Sequence, residues 1–278
     1  MNILNDIKAA YNKANIVERI VYINAFLFLV TALLSNFIIE WFALPSNIDS
    51  FITKPWTLLS YGFIHQRFIH LISNLLVLYY IGNLFLDFYT KKQFLNFYFL
   101  GLFVGGIAFL TTYYFTQQNG LPLAGASAAI ATVFVAIATK VPRYALRLRF
   151  IGSVELWVLA AIYVSLNILQ LTNNDNGGAI AHLSGALLGF VYSKQLSQGN
   201  DIGKWFENSI DFFTNLFTNK KNSNLKTVHK SKRRSSTKNE VSKNKQGKIN
   251  DILDKISKSG YDSLTQKEKD FLFRAGRK

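Results

Sequence analysis

The sequence predicts an all-α polytopic membrane protein with six transmembrane helices and a cytoplasmic C-terminal tail. Half of the residues are hydrophobic, with 24 Phe and 13 Tyr, and several apolar runs exceed the ~18 residues that flag a membrane span. Lys and Arg alternate between crowded and sparse from one short connection to the next, as they do on the two sides of a membrane. Beyond residue 194 the composition turns basic and polar.

The absence of Cys excludes disulfides, thiolate metal sites, S-acylation and a cysteine nucleophile. The net charge of +15 is badly distributed for nucleic-acid binding. Its excess lies in the tail, which has neither zinc spacing nor a base-stacking motif. It reads instead as positive-inside anchoring and attraction to anionic lipid headgroups.

Residues 1–19 are expected to form a polar, mildly amphipathic cytoplasmic segment. It lacks the features of a cleaved secretory signal and is expected to stay on the protein. Residues 20–198 form the membrane domain. Its first span is Ile20–Ile39, followed by a connection whose Trp41, Phe42, Phe51 and Trp56 suit headgroup depth. The second span is Phe68–Phe88 and the third Phe94–Phe115. The fourth, Gly120–Thr139, opens on a Pro/Gly turn and closes at Lys140, Pro142, Arg143, Arg147 and Arg149. The fifth is Val154–Leu171 and the sixth Ala179–Tyr192. Lys8, Lys13, Arg19, Lys91, Lys92 and the four basic residues after span four lie on one side, against Lys54 and Arg67 on the other. Both termini are therefore expected in the cytoplasm, with spans two, four and six running from outside to inside.

In the tail, Trp205, Phe206, Ile210, Phe213, Leu216 and Phe217 fall near helical spacing, which predicts an amphipathic interfacial helix over 199–218. Residues 219–247, rich in Lys, Asn and Ser, read as a basic disordered linker. Residues 248–278 read as a small helical hairpin, with Thr265 and Glu268 placed for a capping box. Truncation after residue 198 is expected to leave the membrane domain folded.

Polar groups inside spans call for a reason. Span two carries His70 and Asn74 at i and i+4, on one helix face. Span four carries Ser127. Span six carries His182, with Gly185 and Gly189 one turn apart, the spacing that lets two helix backbones approach closely. Ser127, His70, Asn74 and His182 all lie near the outer ends of co-directional helices, in a layer roughly 5–12 Å below the surface at ~1.5 Å per residue. Taken singly, His70 and Asn74 suit a helix–helix hydrogen bond, His65 a loop or interface, and the glycines packing. Taken together, they suit acyl transfer. An imidazole at His182 can take the proton of the Ser127 hydroxyl. The Asn74 amide, a His70 N–H and the Ser127 backbone N–H can hold an oxyanion. No acidic residue is placed to complete a triad, Asp175 being a poor candidate, so the pattern reads as a Ser/His dyad.

His70-x3-Asn74 with His65 ahead of it, Gly125-Ala126-Ser127, and Ala181-His182-x2-Gly185-x3-Gly189 together resemble the rhomboid family of intramembrane serine proteases, over about residues 20–195. The resemblance implies a six-helix rhomboid-like bundle with a water-filled cavity opening outward. It implies Ser127 as nucleophile, His182 as base, an oxyanion hole using His70, Asn74 and Ser127, and packing roles for Gly125, Gly185 and Gly189. Substrates would be single-span membrane proteins cut in or near the spanning segment, in a bacterial inner (plasma) membrane, with no metal and no cofactor. Two positions depart from the family pattern. Ala128 stands where a glycine is usual, and Ala131 stands where an aromatic residue packs the histidine, so another ring must fill that space. These departures define the alternative, a catalytically silent relative that binds membrane helices and influences their folding or turnover. A channel or transporter is disfavoured by the lack of midplane charges and broken helices.

Overall fold

The computed structural model describes residues 3–118, 120–149, 152–172, 176–209 and 237–276. The chain divides into two compact units, 1–219 and 220–278.

The first unit begins with α1 (Ile3–Lys13) and α2 (Ile16–Leu33). A capping box starts α2: the Asn15 side chain accepts from the Glu18 N–H at 3.0 Å, and the Glu18 carboxylate accepts from the Asn15 N–H at 2.8 Å. Two orphan donors of the first turn are thereby satisfied, which places the start four residues before the expected Ile20. The helix breaks at Leu34, and the rest of the expected first span is a separate helix, α3 (Ser35–Phe42).

A lobe follows, made of α4 (Ile48–Thr53), α5 (Thr57–Ser60) and a 3-10 turn over Tyr61–Phe63. Stacked rings of Trp41 and Trp56, with centroids 6.2 Å apart, close it, and the Trp56 indole N–H donates to the Trp41 carbonyl at 2.8 Å.

The helices that follow are α6 (Phe68–Phe88), α7 (Lys91–Thr116), α8 (Ser127–Lys140), α9 (Leu156–Gln170) and α10 (Gly177–Ser197). Among the described residues, α2, α6 and α7 are long and apolar enough to cross a bilayer, and α8 and α9 are shorter apolar helices. Between α8 and α9 a hairpin of β1 (Ala145–Leu148) and β2 (Gly152–Glu155) pairs antiparallel, so the chain is mostly rather than wholly helical.

Helix α8 sits at the centre, with every residue from Ala128 to Ala138 buried. A helix buried all round is apolar all round, which is how this one reads. It does not begin at Gly120 as the apolar run suggested. Pro122 lacks a backbone donor, and Gly125 has φ +125°, a conformation open to glycine and strained for other residues. Residues 120–126 are instead tied to the preceding lobe. Leu44 and Leu123 exchange backbone hydrogen bonds, and the Gly125 N–H donates to the Tyr61 carbonyl at 2.9 Å. These bonds satisfy polar groups of the non-helical backbone within the protein.

Glycines let the neighbours of α8 approach at backbone distance. A Cβ at Gly185 would strike the Ala128 carbonyl oxygen, and one at Gly189 the Thr132 carbonyl oxygen. The Thr132 hydroxyl lies 2.9 Å from both the Ala128 and Gly185 carbonyl oxygens, bridging α8 and α10.

After α10, the Tyr192 hydroxyl donates to the Asp201 carboxylate at 2.6 Å, Lys92 pairs with Glu207, and the Phe206 ring lies 6.5 Å from that of Phe99. Residues 204–209 are helical. Ile210, Phe213, Leu216 and Phe217 of the expected interfacial helix lie outside the described residues.

In the second unit, α11 (Thr237–Ser259), a 3-10 turn at Tyr261–Ser263 and α12 (Gln266–Gly276) form a hairpin. Gly260 turns the chain with φ +77°, Ile252 and Leu264 are buried, and Lys255 pairs with Glu268 at 3.0 Å. Helix α11 begins at Thr237, inside the stretch 219–247 expected to be disordered; residues 219–236 of that stretch lie outside the described residues. Once a helix is nucleated over its apolar positions, each further residue adds one hydrogen bond for one residue fixed. That extension carries it past the boundary that composition suggested.

Candidate active site

Ser127 is the first residue of α8. No side chain caps this helix, whereas α2 and α7 carry complete capping boxes. The first N–H groups of a helix have no intrahelical partner and form its positive end. The turn before Ser127 is shaped by Gly125, expected at a helix contact. It lies instead in the non-helical approach, because its φ is left-handed and a Cβ there would meet the His70 ring at 2.6 Å from Cε1. His70 is thereby placed two residues from the serine.

His182 lies early in α10. Its Nε2 is 2.5 Å from the Ser127 Oγ, hydrogen-bond distance between the two side chains read as nucleophile and base. The spacing follows from packing, since Gly185 on the next turn of α10 lies against the carbonyl of Ala128, the residue after the serine.

The other ring nitrogen, Nδ1, lies 2.8 Å from the Oδ1 of Asn167. The sequence reading missed this residue. Asn167 is on α9, where it and Leu156 are the buried residues among those described. Its amide nitrogen donates to the Tyr163 carbonyl one turn back, at 2.9 Å. The signal was present: an amide amid an apolar span, unexplained by a cap or a turn. Asn167 is an amide, where an acid is the usual third member of such a set, and Asp175 lies outside the described residues.

Tyr163 answers the question raised by Ala131. Its side chain packs against the cluster of Ala131, Val135 and Ala186, and its ring centroid is 6.4 Å from that of His182. The ring that packs the histidine comes from α9 instead of α8.

On α6, Asn74 is buried and donates one amide N–H to the His70 carbonyl at 2.8 Å, leaving the second N–H of its amide. His65, read as a loop or interfacial residue, is fully buried, and its ring centroid is 5.4 Å from that of His70. The structure thus brings Ser127, His182, Asn167 and Tyr163 into one contact set, and His70 to the turn before Ser127. A hydroxyl facing an imidazole whose far nitrogen is held by an acceptor has the form of an activated nucleophile.

The family model for the Rhomboid domain matches residues 53–199, more than half of the 278-residue chain. A family of unknown function, DUF6576, matches residues 237–277. No curated protein matches the chain. With the helices described above, the protein is an integral membrane protein, and the chain belongs to the rhomboid family.

Proposed function

We propose that this protein is an intramembrane serine endopeptidase that cleaves single-span membrane proteins in or near their transmembrane segments. The observation that carries the proposal is the 2.5 Å approach of Ser127 Oγ to His182 Nε2, on two packed helices of a rhomboid-family chain.

In this mechanism the Ser127 oxygen attacks the scissile carbonyl carbon while its proton passes to His182 Nε2. The carbonyl oxygen becomes an oxyanion held by the Ser127 backbone N–H, the free Asn74 amide N–H and a His70 ring N–H. His182 returns the proton to the leaving amine, and an acyl ester remains on Ser127. Water, deprotonated by the same nitrogen, then releases the acid and restores the hydroxyl. Six spans, both termini in the cytoplasm, and a site opening to the outer face of a bacterial inner membrane complete the proposal, supported by the distribution of Lys and Arg beside the short connections. The partners are transmembrane substrates and, at the basic tail, anionic lipids.

Labelling of the membrane-embedded protein with a fluorophosphonate probe tests the reading. Labelling abolished by Ser127→Ala and by His182→Ala is the expected result. No labelling of folded protein would support the silent, helix-binding relative and make Ala128→Gly the next variant.

A further inference from the structure

We infer that Asn167 is a positioning residue that selects the tautomer of His182 from which the proton of Ser127 can be taken. The inference rests on the reading of Ser127 and His182 as nucleophile and base.

The geometry leaves the amide one orientation. Its nitrogen donates to the Tyr163 carbonyl at 2.9 Å; turned over, Oδ1 would face that carbonyl, oxygen against oxygen. The Oδ1 is therefore the atom 2.8 Å from His182 Nδ1. An amide oxygen only accepts, so Nδ1 must carry the ring hydrogen. The neutral ring then presents the lone pair of Nε2 to the Ser127 hydroxyl, 2.5 Å away. The other tautomer would place a hydrogen on Nε2, where it could donate to the serine but not accept its proton.

During attack the hydroxyl proton moves to Nε2 and the Nδ1–H stays on the ring, bonded to Asn167. No proton reaches the amide, and none is lost. A neutral acceptor also suits the location. Asn167 is buried in an apolar helix, where a carboxylate would be a costly charge whenever the base is neutral. Because the acceptor sits on α9, the nucleophile, the base and the tautomer selector come from three different helices.

The test is 15N NMR of protein labelled on its four histidines, with His182 assigned by His182→Ala, beside probe-labelling kinetics. The parent should show His182 protonated at Nδ1. In Asn167→Leu that state should give way to a mixture or to Nε2–H. Maximal labelling rate should fall about ten- to hundredfold, as expected for loss of one buried hydrogen bond to a reacting group, with half-saturating probe concentration little changed. In Asn167→Gln, whose amide oxygen is again a neutral acceptor, Nδ1–H should return. A parent with hydrogen on Nε2, or the same tautomer in parent and Asn167→Leu, overturns the inference. Should Asn167→Leu fail to fold, Asn167→Gln decides, and loss of Nδ1–H there counts against it. The NMR reading is also made in Ser127→Ala, where no chemistry occurs. A parent that never labels but shows Asn167-dependent Nδ1–H refutes the protease reading and leaves the positioning role standing.

Discussion

The methyl group of Ala128 occupies the space that Gly105 leaves open on α7. A Cβ built at Gly105 lies 2.7 Å from the Ala128 Cβ and 3.1 Å from the Tyr61 hydroxyl oxygen. The family departure at Ala128 is thus matched on the facing helix. Gly105→Ala should destabilise the membrane unit by about 1–3 kcal/mol, the usual range for overpacking, measured by thermal or denaturant unfolding in detergent. Adding Ala128→Gly should restore most of the loss. Independent, additive effects of the two changes would show that the methyl groups do not compete for one space.

The Thr132 hydroxyl bridges two carbonyls, each at 2.9 Å, on α8 and α10. Thr132→Val keeps the shape and removes the donor. Its expected cost is about 1 kcal/mol, in line with interhelical hydrogen bonds inside membranes. Thr132→Ser, which keeps the hydroxyl, should cost less in the same unfolding assay. Equal stabilities of Thr132→Val and the parent would count the bridge as neutral.

The boundary of the membrane unit lies beyond residue 198. Asp201 accepts from the Tyr192 hydroxyl, and Gly203 lies against the same ring. Ending the chain at 198 removes that acceptor and the Phe206–Phe99 ring contact. A chain ending at 209 should be more stable than one ending at 198 by at least about 1 kcal/mol, the cost of a stranded hydroxyl. Asp201→Asn in the full chain should reproduce part of the difference.

In the second unit, the Glu268 carboxylate accepts from the Thr265 N–H at 2.8 Å, from Lys255 at 3.0 Å and from the Thr265 hydroxyl at 2.9 Å. These donors, the backbone N–H foremost, hold it at about 2, below its ordinary 4.5. A carboxylate depressed on folding adds stability that is present above its unfolded value and is lost as pH falls. The hairpin should therefore loosen between about pH 4.5 and 2, read as amide exchange at residues 261–268 in the full chain. Glu268→Gln should flatten that dependence. The expected capping box is half-formed, because the Thr265 hydroxyl donates to the carboxylate rather than accepting from the Glu268 N–H.

Much of this site was legible because its groups stand out against an apolar background. Ser127, His70, Asn74 and His182 are costly in spans, and Gly185 and Gly189 recur at one-turn spacing. Asn167 is equally out of place on an apolar helix. Its role depends on which atom of its amide faces the histidine, and that is set by a carbonyl on its own helix. Helix α8 starts later than the apolar run suggests, because hydropathy continues through Gly120–Ala126 while helicity does not. Left-handed φ at Gly125 and pairing with Leu44 are facts of three dimensions, as is the hairpin between α8 and α9. The ring packed beside Ala131 comes from α9, the next helix in the chain, and which side of α9 faces α8 is a matter of packing.

A hydrolase has two reactants, and the second is water, which hydrocarbon excludes. The 14 residues of α8 measure roughly 21 Å at ~1.5 Å per residue, against ~30 Å of hydrocarbon. Helix α8 is thus shorter than a bilayer's hydrocarbon core is thick, and the serine is its first residue. Before it come residues 120–126, whose backbone is tied to Ser46, Leu44 and Tyr61. For the hydrolysis proposed here, the missing turns of α8 set how far water must travel to resolve the acyl ester. The length of one helix therefore bears on the supply of a reagent as well as on the placement of a nucleophile.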